Sequence, residues 1–227
     1  MKMHLLSAFA VVFAANGAQA ATRYELDPAH SRAGFSIRHM MVSNVKGEFG
    51  GVTGEVMLDE KDPSRSSVKA TIDAKTLSTG NAQRDGHLKS PEFFDVEKFP
   101  TITFESTKVS RGKGKGKGTF KVEGNLTIHG VTKPVTLDVE ELTPPVMNPM
   151  MKANARGASA STSVNRKDFG LTWAGPALEA GGVVIGDTVK LSVDVEMVEK
   201  AAAAAPAPTD AKPPAPPSDK ATPPVKK

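Results

Sequence analysis

Alternation of apolar and polar residues with a period of two constrains this chain most, because only an extended strand puts successive side chains on opposite faces. It is cleanest near the end of the sequence, where Val189, Leu191, Val193, Val195 and Met197 alternate with Lys190, Ser192, Asp194 and Glu196. The pattern recurs at Phe120, Val122, Leu126 and Ile128, and again at Val135, Leu137 and Val139. Gly130 marks a turn in the intervening His129 to Pro134 segment, so these two runs read as a hairpin. Further strands are expected around Ala33, Phe35 and Ile37, around Val52, Val56 and Leu58, around Val68, Ala70 and Ile72, and at Ile102 with Phe104. A small-residue strand over Ala153 to Val164 brings the count to about eight. An even number of amphipathic antiparallel strands suits an all-β, closed up-and-down barrel, which leaves no exposed sheet edge. A two-sheet sandwich is the alternative.

Two details bear on what fills such a barrel. The apolar phase flips between Val45–Phe49 and Val52–Val56–Leu58, with Gly50-Gly51 at the junction, which predicts a bulge that bends a long strand. The run Gly157, Ala158, Ser159, Ala160, Ser161 has small residues on both faces. Either it packs close beneath the insert at Asn81 to Ser106, or it leaves volume that neighbours or a ligand must fill.

One long stretch interrupts the strands: Asn81 to Ser106, NAQRDGHLKSPEFFDVEKFPTITFES. Thr79 or Asn81 can cap a short helix through Lys89, interrupted by Gly86, and Ser90-Pro91-Glu92-Phe93 has the signature of a second helical turn that ends before Pro100. The two turns would lay Phe93, Phe94 and Phe99 over the barrel wall or mouth. Each phenyl buried there stabilises by about 1.5 to 3 kcal/mol, so core closure alone accounts for the aromatic residues. Arg84 and Asp85 read as an ion pair.

Outside the body the two ends differ in kind. Met1 to Ala20 has a basic start at Lys2, an apolar run from Leu5 to Ala15 and a small-residue Ala18-Gln19-Ala20 site, which predicts a secretory signal cleaved after Ala20 and a periplasmic or secreted product. With no cysteine in the chain, neither a lipid-anchored cysteine nor a disulfide is available, so the body from Ala21 to Lys200 must be stabilised by its core. The segment 201–227 is rich in Ala, Pro and Lys and has no aromatic residue, the composition of a disordered, extended tail. The chain has 29 basic against 25 acidic side chains; setting aside Lys2 and the tail leaves 24 against 23. A nearly neutral body argues against nucleic acid as a partner.

Several ordered motifs carry a resemblance. They are His30-Ser31, Phe35, Ile37 and His39, then Ser43, Val45, Gly47 and Phe49, then Arg84-Asp85-x-His87-Leu88, Phe93-Phe94-Asp95 and Phe99-Pro100-Thr101-Ile102-x-Phe104 with Ser106. Gly124-Asn125-Leu126-Thr127-Ile128-x-Gly130-Val131-Thr132-Lys133-Pro134-Val135 and Asn165-Arg166-x-Asp168-Phe169-Gly170-Leu171 complete the set. Together they resemble the YceI-like, polyisoprenoid-binding family over Ala21 to about Glu199. The resemblance implies a lipocalin-like eight-stranded antiparallel barrel with a short helical insert, whose interior holds a long isoprenoid or related amphiphile; it allows a dimer. The Gly-Lys run Arg111 to Gly118, the Met-Pro-rich loop Thr143 to Met151 and the tail depart from it.

Physical chemistry agrees with the implied function, since each methylene in water costs about 0.8 kcal/mol and a long isoprenoid needs a dry container. The expected lining from the early strands and insert is Phe35, Ile37, Phe93, Phe94, Phe99, Ile102 and Phe104. From the later strands it is Leu126, Ile128, Leu137, Phe169, Trp173 and Leu191. A polar or phosphorylated head would meet Arg84 and His87, with Arg38 and His39 as further candidates, although alternation turns Arg38 away from Phe35 and Ile37.

Competing chemistry finds less support. His30, His39, His87 and His129 lack the i, i+4 or clustered spacing of a metal site, and no nucleophile-elbow pattern accompanies His30-Ser31. The expectation is a non-enzymatic binding protein without cofactor or metal; the alternative is a small periplasmic enzyme, or a metal- or haem-binding protein with His39 or His87 as haem ligand, on the same barrel. Lys113, Lys115 and Lys117 in the run Gly112 to Gly118 read as a solvated hairpin loop that can make a transient membrane-surface contact.

Overall fold

The structure is a computed structural model and describes residues 21–112, 119–176, 178–179 and 181–200. The expected signal segment, the tail and the core of the Gly-Lys run therefore lie outside the described residues. In chain order the strands are β1 (Thr22–Leu26), β2 (Arg32–His39), β3 (Ser43–Gly50), β4 (Thr53–Leu58), β5 (Ser67–Asp73), β6 (Thr101–Arg111), β7 (Phe120–Ile128), β8 (Val131–Leu142), β9 (Val146–Asn148), β10 (Ala153–Asn165) and β11 (Ile185–Lys200). One helix, α1 (Ala82–Lys89), lies between β5 and β6.

These strands make eight staves. β1 and β2 both pair antiparallel with β11, so they are one long stave broken at 27–31; β3 and β4 pair with β2 and β1 and make the second. The second break falls at the predicted bulge, where Gly51 takes a φ of 66° that only glycine adopts freely. β4 through β8 follow as antiparallel neighbours, β8 pairs with β10, and pairing of β10 with β11 from Ala155↔Val198 to Asn165↔Thr188 closes the ring. The closed antiparallel barrel is the expected fold, and closure decides against a sandwich. β9 pairs only with β10, as a flap.

The β7–β8 hairpin forms as alternation requires, with His129 (φ 51°) and Gly130 (φ 73°) as a two-residue turn matched to strand twist. β8 starts at Val131, earlier than its apolar run. Pro134 is tolerated there because residues 131–137 of β8 pair with β7 alone, β10 joining only from Asp138 onward. The barrel is thus splayed at the end that holds this turn, the β2–β3 turn and the insert, here called the upper end. At the lower end Tyr24, Leu58 and Met197 are buried, Arg156 is ion-paired with Glu60, and Arg156 Nε donates to the carbonyl of Thr143 at 2.8 Å, which ties the flap to the β4–β5 loop.

Candidate functional site

The insert is held over the upper end by polar contacts at its start and apolar ones at its end. Asn81 caps α1, its side-chain oxygen accepting from Arg84 N–H at 3.0 Å, and the helix runs unbroken through Gly86. Arg84 and Asp85 are not an ion pair with each other: both fasten on Thr79. Asp85 accepts from the Thr79 hydroxyl at 2.5 Å and its N–H at 2.8 Å, while Arg84 donates to the Thr79 hydroxyl at 2.8 Å and carbonyl at 3.1 Å. The Thr79 hydroxyl bond, more than any other influence, holds the Asp85 carboxyl below its ordinary range. The expected second helical turn is replaced by hydrogen-bonded turns over 91–98, in which Phe93 N–H and Asp95 N–H share the Ser90 carbonyl at 3.0 and 2.9 Å. Val96, beneath them, is 4% exposed.

Beneath this insert lies an upper chamber of about 280 Å³. One wall is a chain of aromatic rings, Phe35 against Phe49 (centroids 6.0 Å) and Phe49 against Phe94 (5.5 Å). Glycine is required behind it: a Cβ on Gly47, the cross-strand partner of Phe35, would lie 2.4 Å from that ring. Opposite, His87, Phe93 and Trp173 form a triangle of rings with centroids 5.0 to 5.3 Å apart, and His87 Nε2 lies 2.5 Å from a Glu92 carboxylate oxygen. A second chamber of about 180 Å³ occupies the lower half, and the cross-strand pair Ile72 and Ile102 lines both. Ala158 and Ala160 line the lower chamber, so the small-residue strand leaves volume there; the reading in which it packs under the insert is not the one adopted.

Most of the sequence-derived lining surrounds these two spaces. Phe35, Ile37, Phe93, Phe94, Ile128, Phe169, Trp173 and Leu191 face the upper chamber; Phe104, Leu126 and Leu137 face the lower. Phe99 does not: its ring packs against His129 (4.4 Å) and over Gly130, since the turn after Asp95 swings it onto the outside of the β7–β8 hairpin. Of the head-group candidates, His39, Arg84 and His87 open on the upper chamber. Arg38 faces outward as alternation requires and donates to the Met41 carbonyl at 2.7 Å.

Sequence reasoning assigned no role to Arg166, which is 4% exposed at the edge of the upper chamber. Its Nε donates to the Gly186 carbonyl at 2.9 Å, Nη1 to those of Leu171 (2.5 Å) and Trp173 (2.7 Å), and Nη2 to Asp187 at 3.2 Å. Burial pulls this guanidinium below its ordinary value, and the Asp187 charge opposes that pull. Arg166 thereby sets the path of the segment that carries Trp173. Phe49, Ile72, Leu88 and Leu171, absent from the sequence-derived lining, also line the upper chamber.

Among the described residues one group of three metal-ligand side chains converges, at the break between β1 and β2 on the outside of the barrel. The ligand atoms of Asp27, His30 and Glu196 lie within 4.8 Å of one another, although no sequence spacing announced it, because strand pairing brings Glu196 to Asp27. His30 Nδ1 is 2.8 Å from an Asp27 carboxylate oxygen; that bond lowers the Asp27 carboxyl and raises the His30 imidazole.

Residues 24–197 match the model of the YceI-like domain. The chain belongs to the YceI-like family. A UPF0312 protein of Staphylococcus aureus is 38% identical over 175 residues, covering 77% of this chain and 96% of that protein. Among solved structures, the YceI-like barrel resembles a YCEI protein of Campylobacter jejuni (28% identity, TM-score 0.59, 72% of this chain and 90% of that one). It also shares its fold with Burkholderia cenocepacia BcnA (20%, TM-score 0.63, covering 75% and 98%) and with a polyisoprenoid binding domain from Saccharophagus degradans (17%, TM-score 0.55, covering 80% and 100%).

Proposed function

We propose that this YceI-like chain is an exported, non-enzymatic container that holds a long isoprenoid or similar amphiphilic lipid inside its barrel, for transport, storage or scavenging. One observation carries the reading: the two chambers meet at Ile72 and Ile102, and their charged and imidazole side chains, His39, Arg84, His87 and Arg166, all belong to the upper one. An apolar chain in the lower chamber with a polar head near His87 matches that division, since apolar surface gains about 25 cal/mol per Å² on leaving water. One further point supports it: the polyisoprenoid binding domain of Saccharophagus degradans has the same fold. Export rests on the composition of residues 1–20.

Native mass spectrometry of the protein purified from its own host, followed by organic extraction, tests the proposal. A co-purifying long-chain lipid is expected. An empty interior accompanied by stoichiometric metal or haem would overturn it in favour of a metal- or haem-binding protein on the same barrel.

A further inference from the structure

The β2–β3 turn has a composition that folding does not ask for. Met40 (φ 51°) and Met41 (φ 60°) both sit in the left-handed region and Val42 N–H donates to the His39 carbonyl at 3.1 Å, a type I′ turn for which Asn-Gly is the favoured sequence, inside a three-residue loop closed by the His39↔Ser43 pair. Two methionines there are strained and exposed at once: Met40 is 40%, Met41 52% and the following Val42 78% exposed. The 181–184 segment lies against this turn. Met40 N–H donates to the Val184 carbonyl at 2.8 Å, a Cβ on Gly182 would touch Met41 at 3.2 Å, and Val183 is itself 41% exposed. The two loops make one apolar knob. It is continuous with the mouth of the upper chamber, since His39, Val184 and Ile185 line that chamber.

Positive charge lies directly below the knob. Strand register puts Lys190, Ser36 and Lys46 in one row across β11, β2 and β3, on the outer face, with Arg38 two residues nearer the tip. Among the described residues none of Arg38, Lys46 and Lys190 has a carboxylate partner, while four acids on these strands are engaged elsewhere: Glu48 by Arg32, Asp187 by Arg166 and Lys167, Asp194 by Ser159 and Glu199 by Asn154. Arg38 reaches up to the turn, its Nη2 donating to the Met41 carbonyl at 2.7 Å. An apolar tip seated in a bilayer interface would hold that guanidinium at the level of the lipid head groups, with Lys46 and Lys190 further down the strands.

We propose that the Met40–Val42 turn and Val183 form a membrane-docking tip that seats in an anionic bilayer surface, with Arg38, Lys46 and Lys190 on lipid head groups. Docking presents the mouth of the upper chamber to the bilayer; that lipid then passes through it rests on the container reading above, whereas docking itself does not. Strain and exposure at Met40 and Met41 are thereby accounted for by function, as backbone strain at a working site commonly is.

Flotation of the full chain with phosphatidylglycerol-containing vesicles and with pure phosphatidylcholine vesicles tests this. Binding to the anionic vesicles is expected, weakening with salt. The double variant Met40→Asn, Met41→Gly, which suits the turn better and should melt higher than wild type, is expected to bind those vesicles about tenfold more weakly or worse. The triple variant Arg38→Glu, Lys46→Glu, Lys190→Glu is expected to lose the salt-dependent part. Undiminished binding by the Asn-Gly variant, or equal binding of wild type to neutral and anionic vesicles, would overturn the proposal. Lipid uptake in vesicle-free solution, followed through Trp173, is measured separately, so failure of docking and failure of the container reading are told apart.

Discussion

Arg166 has its guanidinium bonded to three carbonyls and one carboxylate while almost wholly buried. Removing it leaves those carbonyls without their donor, and buried groups so orphaned typically cost about 1 to 3 kcal/mol each. Arg166→Met is therefore expected to destabilise the fold by about 2 to 4 kcal/mol in urea unfolding and to shift Trp173 emission even under native conditions, because the 171–173 segment loses its anchor. Phe99 and Phe94, five residues apart in the insert, separate core closure from ligand contact. Phe99→Ala should leave lipid occupancy near wild type, since its ring lies against His129, whereas Phe94→Asp puts a charge in the upper chamber and should empty it. Extracted lipid per mole of protein is the readout. The sequence named both rings with equal weight. Alternation tells inside from outside along a strand, but in an insert the direction of a ring is set by turns such as that at Asp95, which no periodicity reports. Arg166 was hidden for a related reason: its partners come from 171–173 and 186–187, which only the folded chain brings together.

At the scale of elements, seven of the eight staves were legible from period two and the eighth, β10, from its run of small residues; the irregularity expected at Gly50-Gly51 is the break between β3 and β4. What alternation did not show is that Asp27 to Ser31 breaks the first stave, since β1 is only five residues long and its burial comes from β4 and β11 on either side. α1 is the weakest element. Eight residues are too few to hold a helix in isolation, so it depends on its cap and on the Thr79 contacts. Asn81→Ala is expected to cost about 0.5 to 2 kcal/mol, seen as faster hydrogen exchange of the Asp85 to Lys89 amides with β7 and β8 unaffected. Asp85 gives the same element a pH dependence. Its carboxyl titrates lower in the fold than in the unfolded chain, so its contribution is fully present above the unfolded value, about 3.9, and is lost as pH falls through the folded value. Thermal unfolding below about pH 4 should accordingly fall less steeply in Asp85→Asn than in wild type.

The whole molecule is a barrel with chemically unequal ends: the upper one splayed, polar at the mouth and roofed by the insert, the lower one filled by Tyr24, Leu58 and Met197 and fastened by Arg156 to Glu60. Ligand that binds only the folded state must raise its stability, so lipid extraction is expected to lower Tm and re-addition to restore it, in a scan with and without added lipid. The central claim is that the interior is a ligand chamber rather than imperfect packing, and Trp173 reports on it directly, being the one tryptophan in the chain and part of the upper wall. The decisive measurement is a fluorescence titration of delipidated protein with a long-chain isoprenoid alcohol. A saturable, one-to-one change in Trp173 emission is predicted, kept in the surface variant Lys69→Ala and lost in Phe94→Asp; no saturable change, or the same change in Phe94→Asp as in wild type, would contradict the account.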